Sequence, residues 1–306
     1  MKKLAASLIM MVLISAAFVG GCSSPTPSSP VASTATPTIT RTSTITGTPT
    51  MTKSPTNTRT PTVTPTETPT GTLTPSLTPT PTATPQAPQA VVVLGTAGTY
   101  AVLAGQSITS TGATTLCGDL GLYPGTSVTG APYQACSGVP GGAYNVGSAN
   151  VPASIAHNDL VTAYADATAA GRGTGTLVTA VIGSQTFFPG LYYSLTTLGI
   201  SGPLTLDGQN AANPVFIFKT ANTLTTASQV TVGIPASEVV LINGATAANV
   251  YWAVGTDCTI GTYSIFKGII LAQGNLSILT GATIEGRALA EVPGALTLDT
   301  NIITNP

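Results

Sequence analysis

Residues 204–233, LTLDGQNAANPVFIFKTANTLTTASQVTVG, lie over residues 240–269, VLINGATAANVYWAVGTDCTIGTYSIFKGI, without a gap at an offset of 36. Gly208 falls on Gly244, and Ala211-Ala212-Asn213 on Ala247-Ala248-Asn249; Thr220, Thr223, Thr226 and Ser228 fall on Thr256, Thr259, Thr262 and Ser264. Apolar positions match as well: Leu206 with Ile242, Phe216 with Trp252, Leu224 with Ile260, Val230 with Phe266. Self-similarity at a fixed period marks a solenoid, in which each unit buries its apolar side only against its neighbours. The segments are rich in Val, Ile, Thr and Phe with Gly and Asn between, so the unit consists of strands and turns. The fold class is therefore mainly β, a β-solenoid. A three-sided coil takes roughly 18 to 20 residues, so about two coils per repeat are expected.

The repeat lies in the C-terminal part of a chain of 306 residues that divides into three by composition. Residues 1–21 read as an export signal: Lys2 and Lys3, an apolar run Leu4–Val19, then Val19-Gly20-Gly21 before Cys22. Val-Gly-Gly-Cys resembles a bacterial lipoprotein cleavage box, which implies that Cys22 becomes the lipidated first residue. Acyl chains on Cys22 would hold the protein at a membrane, with the rest exposed outside the cell. Residues 22–89 form the second part. From Ser23 to Gln89 there are 25 Thr, 14 Pro and 8 Ser among 67 residues. Such a composition buries no core and predicts an extended stalk, a substrate for O-glycosylation.

The third part, 90–306, is long enough for one sizeable domain. It holds four basic residues against nine acidic ones. That balance offers no basic patch for nucleic acid. Most soluble domains are about a quarter charged. Here Thr, Ser, Asn, Gln and Gly must supply the polar surface instead. Cys117 and Cys136 bracket a Gly- and Pro-rich loop, and in an exported chain they are expected to form a disulfide. Cys258 is expected to be a buried, inert thiol. One His and no Cys/His cluster of ligand spacing argue against a metal site or a cofactor.

Strands are expected at Val91–Leu94, Tyr100–Leu103 and Ser107–Leu116, a loop over Gly118–Val151, a helix over Pro152–Ala170, and solenoid from Leu177 onward. Pro152 suits a first helical turn and Gly171 a stop. Ala156, Leu160, Ala163, Tyr164 and Ala167 form the apolar stripe of that helix. His157 lies off it and is expected at the surface.

In Thr259-Ile260, Ser277-Ile278 and Thr297-Leu298 a hydroxyl precedes an apolar residue, as it does in Thr223-Leu224. Strand side chains alternate faces. With the apolar member inward, Thr223, Thr259, Ser277 and Thr297 form a column of hydroxyls on one outer face, interrupted near Leu241. The phrase Thr-Gly-Ala-Thr occurs at 280–283 and 111–114, and Thr226–Gln229 is a looser relative. Its small residues also suit a tight corner.

Phrases spread along the chain resemble one family, the bacterial and fungal ice-binding proteins with a discontinuous right-handed β-helix. They include Leu94-Gly95-Thr96-Ala97, Gly118-Asp119-Leu120-Gly121, Pro189-Gly190-Leu191-Tyr192, Ala248-Asn249-Val250-Tyr251-Trp252 and Gly286-Arg287-Ala288-Leu289-Ala290. The resemblance implies a three-faced right-handed β-helix with one long α-helix alongside. It also implies that the N-terminal strands insert beside the C-terminal coils. Between first coil and helix it leaves about 34 residues, too few for a large cap. The family's ice-contact motif resembles Thr-Ala/Gly-x-Thr/Asn, which Thr280–Thr283 and Thr111–Thr114 satisfy. Ile265 and Ile303 are expected at its last position in their coils and would break the array.

The function this implies is adsorption to ice, antifreeze-like, by a monomeric head. The contacts expected are Thr223, Thr259, Ser277 and Thr297, with Thr280, Thr283, Thr226 and Thr262 beside them. A threonine hydroxyl bonds to water, its methyl limits how tightly water is held, and its χ1 is stiff. Asp257, Leu279 and Glu285 are expected near this surface and would weaken it. The alternative reading is a cell-surface adhesin or polysaccharide-binding module, which the anchor and stalk suit equally. An enzyme is not expected: no paired carboxylates or Ser-His-Asp order stand out.

Overall fold

The structure is a computed structural model and describes residues 86–130, 134–135, 143–229 and 235–306. The expectations for residues 1–21, Cys22, nearly all of the stalk, and Cys136 lie outside the described residues. The compact unit that contains every described residue runs from Leu73 to Pro306.

All ladder pairings between strands are parallel, and the strands lie on three faces of one coil. A seven-stranded sheet forms one face, in the order Leu198–Ile200, Leu224–Thr226, Cys258–Ile260, Leu276–Ile278, Leu296–Asp299, Ser107–Thr111, Ser127–Gly130. A second face runs through Gly190–Ser194, Phe216–Thr220, Val250–Val254 and on to Tyr100–Ala104 and Asp119–Leu122. The third runs through Gly202–Asp207, Ser237–Ile242 and on to Ile302–Thr304 and Thr115–Cys117. The strands Ile265–Ala272 and Thr283–Ala290 turn the corner between the third and second faces. The first of these bends at Gly268, where φ is +115° and a Cβ would lie 2.6 Å from the Trp252 Nε1. Only glycine fits there.

The discontinuity that the family resemblance implies is present. Ser107–Thr111 pairs with Leu296–Asp299, Tyr100–Ala104 with Thr283–Ala290, and Thr115–Cys117 with Ile302–Thr304. Both ends of the folded part thus build one continuous solenoid.

Three expectations about the strands need correction. The 36-residue unit is one long coil, not two. Phe216 pairs with Val250 and Leu224 with Cys258, thirty-four positions on, and Leu204 with Val239, thirty-five on. The offset of 36 survives only in the corners, where Asn249 Nδ2 donates to Asn213 Oδ1 at 2.7 Å and Asn243 Nδ2 to Asp207 Oδ1 at 2.8 Å. Coils of the expected size follow: Cys258 pairs with Leu276, eighteen on, and Leu276 with Leu296, twenty on. Second, Val91–Leu94 is not a strand, and its Val93 is largely exposed. Third, the stretch read as a loop contains the strands Asp119–Leu122 and Ser127–Gly130, which pair with the first coil, and Tyr144–Val146, which pairs in turn with Asp119–Leu122. Gly and Pro hide such short strands in the sequence; the pairing comes from the neighbouring coil.

Inside the coil, Tyr192, Phe218 and Trp252 stack in register, with ring centroids 5.1 and 4.5 Å apart. Leu198, Leu224, Cys258, Leu276, Leu296 and Ile108 line the interior of the seven-stranded face. Cys258 is buried and free, and burial pushes its thiol pKa well up, with the Asp257 charge adding to the shift. It is the inert thiol expected.

The helix α1, Val151–Thr168, covers the second face. Asn150 caps it, its Oδ1 accepting from Ala153 N at 2.9 Å, with Pro152 in the first turn. Ala156, Leu160, Ala163 and Ala167 pack on Leu271, Leu289, Tyr251 and their neighbours. His157 is buried at 4 % exposure, against the expectation of a surface residue. Its Nε2 donates to the Ala104 carbonyl at 2.8 Å, which also accepts from Tyr123 N at 3.1 Å where the second face ends and turns. Among the described residues no helix is long and apolar enough to cross a membrane.

Candidate functional site

On the seven-stranded face, register decides which hydroxyls stand together. Thr225, Thr259, Ser277, Thr297, Thr109 and Thr129 pair in succession, one per coil. Each follows an inward apolar residue, so strand alternation turns all six outward. Parallel neighbours are about 4.8 Å apart, so the line is evenly spaced. It is longer than the sequence suggested and unbroken: Leu241, expected to interrupt it, lies on the third face opposite Leu206.

The expected contacts separate on this frame. Thr259, Ser277 and Thr297 are brought together as read. Thr223 is not in the line; it stands just before Leu224, whose partner is Cys258, so Thr225 takes the place beside Thr259. Thr226 points inward and is 3 % exposed. Its hydroxyl oxygen lies 2.9 Å from Ser264 Oγ and accepts from Gly261 N at 2.7 Å. Thr226 therefore cannot meet a flat surface; it fastens one coil to the next. Thr262 sits in the following corner, its N–H donating to Ser228 Oγ at 3.1 Å. Thr280 is exposed at the corner, its hydroxyl donating to Asp299 Oδ2. Thr283 has turned onto the third face, between Ile265 and Ile302. The residue beside it is thus Ile302, while Ile303 is buried. In the other copy of the phrase, Thr111 ends a strand of the hydroxyl face, and Thr114 is buried, accepting from Ser110 Oγ at 3.0 Å.

The residues missed from sequence are Thr225, Thr109 and Thr129. A signal existed for the first: Cys258 was read as inward, and matching Leu224 to it rather than to Ile260 selects Thr225. For Thr109 and Thr129 no repeat pointed the way, because their coils come from the other end of the chain.

The corner behind the hydroxyl face is polar inside. Ser264 Oγ lies 2.9 Å from Ser237 Oγ and donates to Ala227 O at 3.1 Å. Two coils on, buried Asn301 donates to Leu279 O at 2.8 Å and Ala282 O at 3.2 Å, while its Oδ1 accepts from Asp299 N at 2.7 Å. These bonds fix the edge of the face from within, and satisfied buried networks are rigid.

Charge stays at the margins. Asp257 Oδ1 accepts from Asn275 N at 2.7 Å and Nδ2 at 3.2 Å, bridging adjacent coils. At the other margin the Thr280 hydroxyl, foremost, holds the Asp299 carboxyl below its ordinary pKa, against a smaller opposing effect of burial; Thr300 and Thr111 assist. Glu285 is not on this face: it pairs with Lys267 at 3.1 Å on the third. Among the described residues no group of His, Cys, Asp and Glu could hold a metal ion.

The fold and face define a parallel, discontinuous β-solenoid presenting a hydroxyl-lined sheet. The family model described as "Ice-binding-like" matches residues 102–304, and the chain belongs to that family. The ice-binding protein of Nostoc sp. (strain HG1) is 35% identical over 217 residues, covering 71% of this chain and 75% of its own. That of Colwellia sp is 36% identical over 228 residues, covering 70% and 84%. Among solved structures, an ice binding protein from an Antarctic biological consortium has 38% identity and a TM-score of 0.61, covering 72% of this chain and 93% of its own. An ice-binding protein domain of Shewanella frigidimarina has 28% identity and a TM-score of 0.62, covering 72% and 99%.

Proposed function

We propose that the protein adsorbs to ice through the seven-stranded face, with Thr225, Thr259, Ser277, Thr297, Thr109 and Thr129 as its central contacts. The observation that carries this is the unbroken register of one small hydroxyl per coil. Ice is an uncharged, ordered lattice of water, so a receptor for it needs flatness and stiffness rather than a pocket. Stacking opposes the usual twist of a sheet. A fixed backbone leaves little to order on binding, and many weak water-mediated contacts then add along the array. Relatives named as ice-binding proteins support the reading. The protein acts by binding rather than by catalysis. We read it as acting as a single copy; in support, most apolar side chains of the described residues are buried inside the coil and beneath α1.

The test is ice-affinity partition of the full chain beside Thr259→Tyr/Thr297→Tyr. Wild type is expected to enrich in the growing ice and the folded double variant to be excluded. Enrichment of both would move the site to another face, and exclusion of both would end the ice reading.

Two further elements belong to this reading. The Cys22 anchor and the Thr/Pro-rich stalk display the head outside the cell. Incorporation of labelled palmitate, lost in Cys22→Ser, tests the anchor. Cys117 and Cys136 form a disulfide. In support, Leu116 pairs with Ala135, one residue short of both cysteines, and parallel neighbours at about 4.8 Å fall within disulfide reach.

A further inference from the structure

Along the second face one outward position recurs in register as Tyr193, Lys219, Ala253, Leu271, Leu289 and Leu103. From Ala253 to Leu103 these side chains are buried beneath α1. Toward the first coils the helix runs out, and the position changes from aliphatic to a phenol and an ammonium. A cleft of about 320 Å³ opens there, between Tyr164 and Thr168 of the last helical turns and Tyr193, Leu195 and Lys219 of the sheet side. That is the small end of the ~300–1,000 Å³ range of ligand sites.

The Lys219 stem can pack along the face, but its ammonium gains nothing from the aliphatic positions beyond it. The ion pairs among the described residues are Arg172–Asp166 and Lys267–Glu285, and Lys219 is in neither. The rim of the cleft is built: Thr220 Oγ1 donates to Thr196 O at 2.7 Å, and Asn222 Nδ2 to Leu195 O at 3.4 Å. This fixed turn holds Leu195 72 % exposed at the mouth, where it offers an apolar surface to a ligand.

We propose that this cleft binds a carboxylated sugar unit of an acidic polysaccharide. The Lys219 ammonium receives the carboxylate. Tyr193 and Leu195 cover the C–H face of the pyranose, and Tyr164 closes the opposite wall. A bare inorganic anion would use the ammonium but leave the aromatic and leucine surfaces idle; a neutral sugar would leave the ammonium idle. The folded part carries more acidic than basic residues, nine against four, so a polyanion is repelled by the head outside a local site. The segment before it is basic, with Arg41, Lys53 and Arg59 against Glu67, so the site is read from the difference between wild type and a Lys219 variant of the same full chain. Because the cleft lies on the helix side, a bound glycan would not occupy the hydroxyl face.

The experiment is affinity electrophoresis of the full chain through gels containing polygalacturonate or dextran. Wild type is expected to be retarded by polygalacturonate and not by dextran. Lys219→Leu, which repeats the residue found at this position further along the face at Leu271, Leu289 and Leu103, keeps the fold and weakens the interaction at least about tenfold, the effect of losing one charge-assisted hydrogen bond. Lys219→Arg retains it, and both variants partition into ice as wild type does. No retardation of wild type, equal retardation by dextran, or an unaltered Lys219→Leu would each overturn the proposal, and none of these outcomes bears on the ice face.

Discussion

Thr225 and Thr226 are neighbours with the same side chain and opposite tasks, and the difference is parity alone. Thr225 points out, in line with Thr259; Thr226 points in, receiving the Gly261 N–H and meeting Ser264. Replacing Thr226 by Val keeps the shape and strands a buried donor, so it should cost about 1–3 kcal/mol in urea unfolding while the folded protein still enters ice. Thr225→Tyr should do the reverse: stability within about 0.5 kcal/mol of wild type, because the site is exposed, and ice partition reduced. Equal loss of ice partition in the two folded variants would refute the separation. His157 makes a pH-dependent contribution. Burial, foremost, lowers its pKa, against the opposing pull of the Ala104 carbonyl. A base with a depressed folded pKa stabilises fully above its unfolded value of about 6.5, and that stability is lost as pH falls through it. The melting temperature should therefore drop between pH 7.5 and 5, and His157→Gln, which can still donate to Ala104, should lessen the drop. An identical pH slope in both proteins would exclude the histidine as its source.

At the scale of the coil, the 36-residue repeat showed that the chain is a β-solenoid but misled about its register. Residues such as Asn213 and Asn249 keep that period because they face each other in a corner and bond side chain to side chain. The strands between corners pair thirty-four or thirty-five apart, because the corners take up the slack. Alternation then survived where the coils are short, at Thr259, Ser277 and Thr297, and failed by two residues at Thr223, next to a long corner. His157 was misplaced for another reason: its partner is a backbone carbonyl some fifty residues away, which no helical pattern can signal. The corners also set the tolerance of the coil to substitution. Gly268→Ala would force a left-handed φ on a side chain and press a Cβ to 2.6 Å from Trp252 Nε1. It should destabilise by about 2–5 kcal/mol, combining backbone strain with overpacking. Gly171→Ala, with nothing within 4 Å of the new Cβ, should stay within about 0.5 kcal/mol. Similar urea midpoints for the two variants would mean that the bend at Gly268 is not obligatory.

Over the whole molecule, the hydroxyl face joins strands from both ends of the folded chain. Five of its strands come from Leu198–Asp299, and two, Ser107–Thr111 and Ser127–Gly130, from the start. Ser277 is central in the line that runs from Gly199 through Thr225 to Thr129; Thr129 is at its end. If the face acts as one rigid plane, the position of a bulky residue matters more than its local contacts. A ring at Ser277 would lift both halves of the plane from a flat crystal, because the array cannot bend to accommodate it. A ring at Thr129 would only tilt the plane and leave the far coils in contact. Since contacts on a rigid array add, ice partition should fall much further in Ser277→Tyr than in Thr129→Tyr, with Thr109→Tyr and Thr225→Tyr between. Equal effects at all four sites, in proteins of equal melting temperature, would mean that each hydroxyl binds separately. Loss confined to Ser277 and its direct neighbours would mean that the N-terminal coils serve to cap the solenoid rather than to extend its face.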